Sequence, residues 1–330
     1  MDGRIRTRRQ HTAHRQLGRE DCLVFMHIPK TGGTTLYPTL QWNYPPQRTL
    51  HMDLPANGLH QMEDVPIETR SRLRLLHGHL AYGIHEYIPR RCLYVTVLRA
   101  PVARVVSAYK QILRRPDHRF HDRVVKRRIG LEEFIETLWV DARMNRQVRD
   151  LCNKYEVPLG SGDLEQAKRN LEGFLLVGLT ERFEETFAML RRALGLRIPF
   201  YVIRNVGFPI KVSKRAVSLI REREQLDLQL YDFASELFSR ELEAQGNSFG
   251  LEVAAYKALR PLSRALGSGR AEDFLRQLSH ARAAWNHARV RPFVEVRPDP
   301  SIPWGGAPPQ PEAPGPQEDE VATGRSEGSL

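Results

Sequence analysis

Cysteine is scarce, with three residues, Cys22, Cys92 and Cys152, in a chain of 330. An odd and sparse set gives no paired disulfide framework and points to a reducing compartment. No stretch approaches the roughly 18 to 20 consecutive apolar residues of a membrane span. The arginines near the N-terminus have no apolar segment behind them, so they do not read as a secretory leader. Together these absences make a cytoplasmic location, with no transmembrane segment, the expectation. Lysine is rare too, 8 residues against 42 arginines. Genomic base composition explains that ratio better than any function.

What is present is ordinary in bulk and uneven in distribution. Apolar residues make up 41% and the net charge is +11. The length allows one large α/β domain or two small ones, and the charge favours anionic partners without choosing among nucleotides, acidic sugars, nucleic acid or a membrane surface. Residues 1–20 hold six Arg and two acids and read as a disordered basic arm. Residues 296–330 hold eight Pro and six acids and read as a disordered tail. Residues 21–295 form one globular stretch without internal repeats.

Apolar, β-branched or aromatic runs predict strands at Cys22–His27, Leu93–Leu98 and Phe174–Val177. Cys22 and Cys92 each stand at or beside the start of such a run and read as buried packing residues. Helices are expected from Thr34 or Thr35 to about Trp42, from Pro101 onward, over Glu181–Leu194, and over most of Ser213 to Arg289. Pro101 suits a first helical turn, where its missing N–H costs nothing. Strands alternating with helices imply a parallel sheet covered on both faces.

The segment His27 to Leu36, HIPKTGGTTL, joins the first strand to the first helix. Ligands of parallel α/β folds bind beyond the carboxyl ends of the strands. Glycines let backbone approach a phosphate closely, and a helix N-terminus offers it free N–H groups and a positive dipole end. Lys30 adds charge, and Thr31, Thr34 and Thr35 add hydroxyl donors. The order differs from the nucleoside-triphosphate pattern G-x-x-x-x-G-K-[ST], because Lys30 precedes Gly32 and Gly33. By chemistry alone the segment is a phosphate cradle, or else a plain Gly-Gly turn.

Residues Pro29 to Thr35, PKTGGTT, resemble the 5′-phosphosulfate loop of the PAPS-dependent carbohydrate sulfotransferases, the group of heparan sulfate 2-O- and 6-O-sulfotransferases and many bacterial relatives. PAPS is 3′-phosphoadenosine-5′-phosphosulfate. Val97 to Tyr109, VLRAPVARVVSAY, is similar to that family's 3′-phosphate segment, which implies Arg99 and Ser107 as ligands of that phosphate. Leu164 to Leu194 resembles a helix–strand–helix segment of the 2-O group, with Thr180 and Arg182 just past its strand. The resemblance covers about residues 21 to 245. It implies an α/β, P-loop NTPase-like three-layer fold with a central parallel sheet and a helical C-terminal part. It also implies PAPS as sulfuryl donor, no metal, and a hydroxyl-bearing acceptor, in the sense of the family a carbohydrate or glycosylated metabolite; nucleic acid is not an expected partner.

His77-Gly78-His79 resembles the HGH of the 2-O enzymes, whose histidines serve the acceptor. We assign His79 as general base and His77 as its helper or an acceptor contact, an order the sequence alone leaves open, with Lys30 offsetting charge on the leaving phosphate. As residues alone, the two histidines also fit a buried turn, and an H-x-H pair lacking a third ligand cluster is a poor metal site. His85 and Glu86 are the nearby alternatives. Arg104 reads as a solvated or ion-paired helix residue. Asn145, Gln147 and Arg149 fit an acceptor cleft or a solvated helix face equally. Lys211, Ser213 and Lys214 loosely match a loop over the 3′-phosphate. Lys110 to Arg128 has eight basic residues against two Asp and reads first as a solvated face. Two other classes remain open: an NTP-dependent phosphotransferase using the same loop, and a non-catalytic polyanion-binding protein.

Overall fold

The computed structural model describes residues 16–54, 57–140, 143–155, 158–197, 201–203 and 208–266. Most of the basic arm, the Pro-rich tail and the helical pattern expected beyond residue 266 lie outside the described residues. Five strands, β1 (Cys22–Met26), β2 (Thr49–His51), β3 (Leu75–Gly78), β4 (Cys92–Leu98) and β5 (Leu176–Leu179), form one sheet in the order β2-β3-β1-β4-β5. Every neighbouring pair is parallel. Central β1, CLVFM, is buried along its whole length, as an apolar run flanked on both edges must be.

Helix α1 (Gly33–Asn43) follows β1, and α2 (Pro101–Arg114) follows β4. Three short helices come next: α3 (His121–Lys126), α4 (Leu131–Thr137) and α5 (Arg146–Cys152). Helix α6 (Ser161–Glu172) leads into β5, and α7 (Phe183–Leu194) leaves it. Helices α8 (Lys214–Arg223), α9 (Gln225–Glu243) and α10 (Phe249–Leu266) complete the described chain. From β1 the chain moves to β2 on one side of the sheet, whereas from β4 it moves to β5 on the other. Right-handed crossovers in opposite directions put helices on both faces and open a crevice between the carboxyl ends of β1 and β4.

The main core joins the sheet to α1, α6, α7 and α9. A smaller one gathers Val105, Tyr109 and Ile112 of α2 with Phe134, Trp139 and Ile220. Burying each such side chain is worth about 1.5–3 kcal/mol. No described helix is long and apolar enough to cross a membrane.

Four departures from expectation bear on packing or on the site. β5 begins at Leu176, two residues after the expected start, because Phe174 is withdrawn to stack on Tyr94 at 5.0 Å. Helix α1 begins at Gly33, one residue before Thr34. His77 and Gly78 belong to strand β3 and not to a turn. Cys92 is half-buried, whereas Cys22, its register partner, is fully buried.

Candidate active site

Register assembles the acceptor half of the site. Residues i and i+2 of a strand share a face. Phe25 of β1, His77 of β3 and His51 of β2 pair across the sheet. Two residues further along each chain lie His27, His79 and Asp53, at the carboxyl ends. The backbone continues the ladder there: His27 N–H donates to Gly78 O at 2.9 Å, and Leu54 N–H donates to His79 O at 3.0 Å. Gly78 is required for this, since its φ is +143° and a Cβ would stand 1.8 Å from Met52 O.

Asp53 joins these histidines. Its Oδ1 accepts from the His79 N–H at 2.8 Å and lies 3.0 Å from His79 Nδ1. Its Oδ2 lies 3.4 Å from His51 Nε2. Burial alone would raise the Asp53 carboxyl, but the hydrogen bonds from His51 and His79 outweigh burial and hold it far below the usual carboxylate range. His79 stacks on His27 at 4.8 Å, and His27 Nδ1 meets Tyr37 Oη at 2.7 Å. Burial, reinforced by His79, keeps His27 well below the ordinary imidazole value.

The two histidines of the HGH segment have different surroundings. His79 is 29% exposed at the side chain, whereas His77 is 1% exposed. Burial, with His51 beside it, lowers His77 to about 3 against the opposing pull of Asp53. His77 is therefore a neutral ring beneath the surface. His85 is elsewhere: its Nδ1 meets Tyr94 Oη at 2.8 Å within an aromatic group. Among the described residues no group of three or more His, Cys, Asp or Glu is arranged to hold a metal ion.

The donor half is the β1–α1 loop. Gly32 is left-handed at φ +86° and α1 has no side-chain cap, so its first N–H groups face outward for an anion. Lys30 is also left-handed, at φ +75°, a conformation that a non-glycine residue holds only where neighbours enforce it. They do so here: Arg99 donates from Nη1 to Lys30 O at 3.0 Å, and Thr180 Oγ1 donates to Thr31 O at 2.7 Å. These contacts occupy two carbonyls that would otherwise repel an anion. Thr31 spends its own hydroxyl on Ile28 O at 2.8 Å. Thr35 closes the first turn with its N–H on Gly32 O at 3.0 Å. Thr34 is half-buried beside it, and Pro29 sets the turn.

Burial, then the nearby Arg114, Arg99 and Arg115, lowers the Lys30 ammonium to about 8. Ser107 is half-buried in α2, on the helix face it shares with Arg114, seven residues later. Arg99 Nε is buried without a hydrogen-bond partner, with Glu181 Oε1 3.9 Å away. A buried guanidinium N–H left open at the crevice suits a bound phosphate.

Arg99 is held in turn by Gln147, which accepts from its N–H at 2.9 Å and donates to its carbonyl at 3.0 Å. Gln147 is fully buried, and so neither a solvated face nor an acceptor wall. Arg149 is likewise buried, donating to the carbonyls of Met144, Lys154 and Tyr155. Asn145 accepts from the Leu226 and Asp227 N–H groups at the start of α9. Ser213 caps α8, accepting from Ala216 N–H at 2.9 Å, and Lys211 and Lys214 are exposed.

A sulfotransferase family model matches residues 17–197. The chain belongs to the sulfotransferase family. The matched stretch holds the strands, the phosphate-type loop, Arg99, Ser107 and the His79–Asp53 pair of this sulfotransferase. Human heparan-sulfate 6-O-sulfotransferase 1 is 27% identical over 280 residues, covering 67% of this chain and 66% of the relative. The Chinese hamster (Cricetulus griseus) protein of that name is 28% identical over 278 residues, covering 67% and 68%. The chain thus spans about two thirds of the length of these relatives. A mouse sulfotransferase solved with PAP aligns over 65% of this chain and 69% of its own at 12% identity, with a TM-score of 0.32. That likeness is too slight to place a ligand.

Sequence reasoning missed Asp53, His51, the part played by His27, and Tyr37, and it set Gln147 in an acceptor cleft or on a solvated face, where the structure has it holding the Arg99 backbone. One signal was present: His51-x-Asp53 repeats the spacing of His77-x-His79, as adjacent parallel strands ending in polar pairs would.

Proposed function

We propose that this sulfotransferase moves a sulfuryl group from PAPS to a hydroxyl of a carbohydrate or glycosylated small acceptor. The observation that carries the reading is the shared wall between the two halves. His27 lies so close to Gly33 that a Cβ there would stand 2.1 Å from its ring, and the same ring stacks on His79 at 4.8 Å. Anion loop and candidate base are therefore neighbours, as an in-line transfer needs.

In the reaction the sulfur–oxygen bond to the acceptor forms as the bond to the donor phosphate breaks. His79, with Nδ1–H on the Asp53 carboxylate, presents Nε2 as the proton acceptor for the hydroxyl. Asp53 stabilises the imidazolium that results, and His77 supports the cluster from below. Lys30 and the α1 N-terminus offset charge on the leaving phosphate. Pro29 to Thr35 cradle the 5′ side, while Arg99 and Ser107 take the 3′-phosphate. The names of the relatives, heparan-sulfate 6-O-sulfotransferases, support a saccharide hydroxyl.

The test is calorimetric titration with adenosine 3′,5′-bisphosphate, ATP and ADP. The expected result is selective binding of the bisphosphate, weakened about 10- to 100-fold in Arg99→Ala, as loss of a charged hydrogen bond implies. Preference for ATP would overturn the reading in favour of a phosphotransferase.

A further inference from the structure

The hydrogen bonds around Asp53 continue on the side away from His79, through His51 and His77 to Gln41 of α1. Gln41 Nε2 lies 3.3 Å from His77 Nε2, and His77 Nδ1 lies 3.2 Å from His51 Nδ1. His51 Nε2 then lies 3.4 Å from Asp53 Oδ2. A neutral imidazole has one N–H and one lone pair, so fixing one contact fixes all of them. An ionised carboxylate only accepts. His51 must therefore carry its proton on Nε2, which makes its Nδ1 an acceptor. His77 must then donate from Nδ1, leaving its Nε2 to accept from the Gln41 amide. The reverse order would set the His51 lone pair against a carboxylate.

From this chain we propose that His51 is a positioning residue for the base: held in one tautomer by His77 and Gln41, it occupies Asp53 Oδ2 and so dedicates Oδ1 to His79. The assignment deepens the reading of His79 as base and rests on it. It gives each member a task. Oδ1 receives both the N–H and the Nδ1–H of His79, which fixes the ring in position and rotation. Oδ2, capped by His51, shares the carboxylate charge with a second donor. The charged and titratable groups of the cluster around His79 are His27, stacked on it, and Asp53, bound to it, then Tyr37 and Lys30, which bear on His27, His51, which binds Asp53, and His77 on its own strand. Of these only Asp53 is anionic at neutral pH, so the state of its carboxylate dominates the response of His79.

Long-range proton–nitrogen correlation spectra of the full chain, labelled at histidine, read the tautomers directly. The expected pattern at neutral pH is Nε2–H for His51 and Nδ1–H for His77 and His79; Nδ1–H at His51 would overturn the proposal. A second measurement follows the titration of His79 in variants. In His51→Leu, Asp53 loses a donor and its charge falls more fully on His79, so the midpoint rises by about one pH unit. The acid limb of kcat/KM moves with it. His51→Gln, which keeps an N–H for Asp53 and an oxygen for His77, returns both toward the parent chain. An unmoved midpoint in His51→Leu sinks the proposal. The tautomers need neither donor nor acceptor, so failure of the transferase reading shows separately, as loss of bisphosphate selectivity in the unaltered chain.

Discussion

Two polar clusters stand close to the carboxyl edge of one sheet, and they are built on opposite terms. At the ends of β1, β2 and β3, four histidines gather around a single carboxylate, Asp53, which binds His51 and His79, and the His79 side chain is 29% exposed. Beyond β4, Arg104 is 2% exposed and bound to Glu224 at 2.8 Å and Asp227 at 3.4 Å. Trp139 and Asn145 also donate to Glu224, and the N–H groups of Gln147 and Val148 donate to Asp227. The first cluster is the one proposed to exchange a proton with a substrate; the second fixes Gln147, hence Arg99. Burial of charge marks the part that holds, and a partly exposed ring on a partly exposed carboxylate marks the part proposed to react.

The widest test of that contrast is His79→Ala, expected to lower turnover about 10²- to 10⁴-fold while bisphosphate affinity stays as it was. Equal loss of both, by calorimetry and single-turnover rate, would remove the distinction. Next comes Arg104→Met, which strands two buried carboxylates and costs about 3–5 kcal/mol of stability, read by denaturant unfolding. A cost below about 1 kcal/mol would mean that the cluster is solvated.

Gln147→Leu is subtler. It removes two hydrogen bonds to the Arg99 backbone and should weaken bisphosphate binding about 5- to 30-fold with turnover at saturating donor nearly unchanged. A fall in turnover alone would assign Gln147 to the acceptor side. The smallest effect is one of pH. Lys30, lowered to about 8, is charged below that value and loses its proton above it. An anion binds the charged form better, so bisphosphate affinity should hold through neutral pH and fall above about 8, by at most about tenfold per unit. Lys30→Met should flatten that limb; an unchanged limb would place the titration elsewhere.

How far the sequence could be read follows the same divide. β1, its loop, β4 and the start of α2 were legible because each carries a local signal: an apolar run, a Gly-Gly turn, a proline in a first helical turn. β2 and β3 were not. Thr49–His51 and Leu75–Gly78 are three and four residues long, too brief for periodicity, and their polar ends look like loop. Asp53 finds His79 across 26 residues, a contact set by register between adjacent strands and not by spacing along the chain. Gln147 looked equally like cleft or surface, since a buried amide has the composition of an exposed one until its partners are known. Arg104 showed which kind of residue it was but not the acids it would meet, which lie 120 and 123 positions later.

Gly33 has a consequence for genetics. Its backbone opens the donor helix, yet the atom nearest to an added methyl is a carbon of the His27 ring, against which His79 rests. A replacement there displaces the acceptor wall along with the donor loop. Screens that sort variants by loss of nucleotide binding will therefore collect alleles at Gly33 whose deeper lesion is in proton transfer, and suppressors of those alleles should arise among the residues that pack around the histidine rings as readily as in the loop itself.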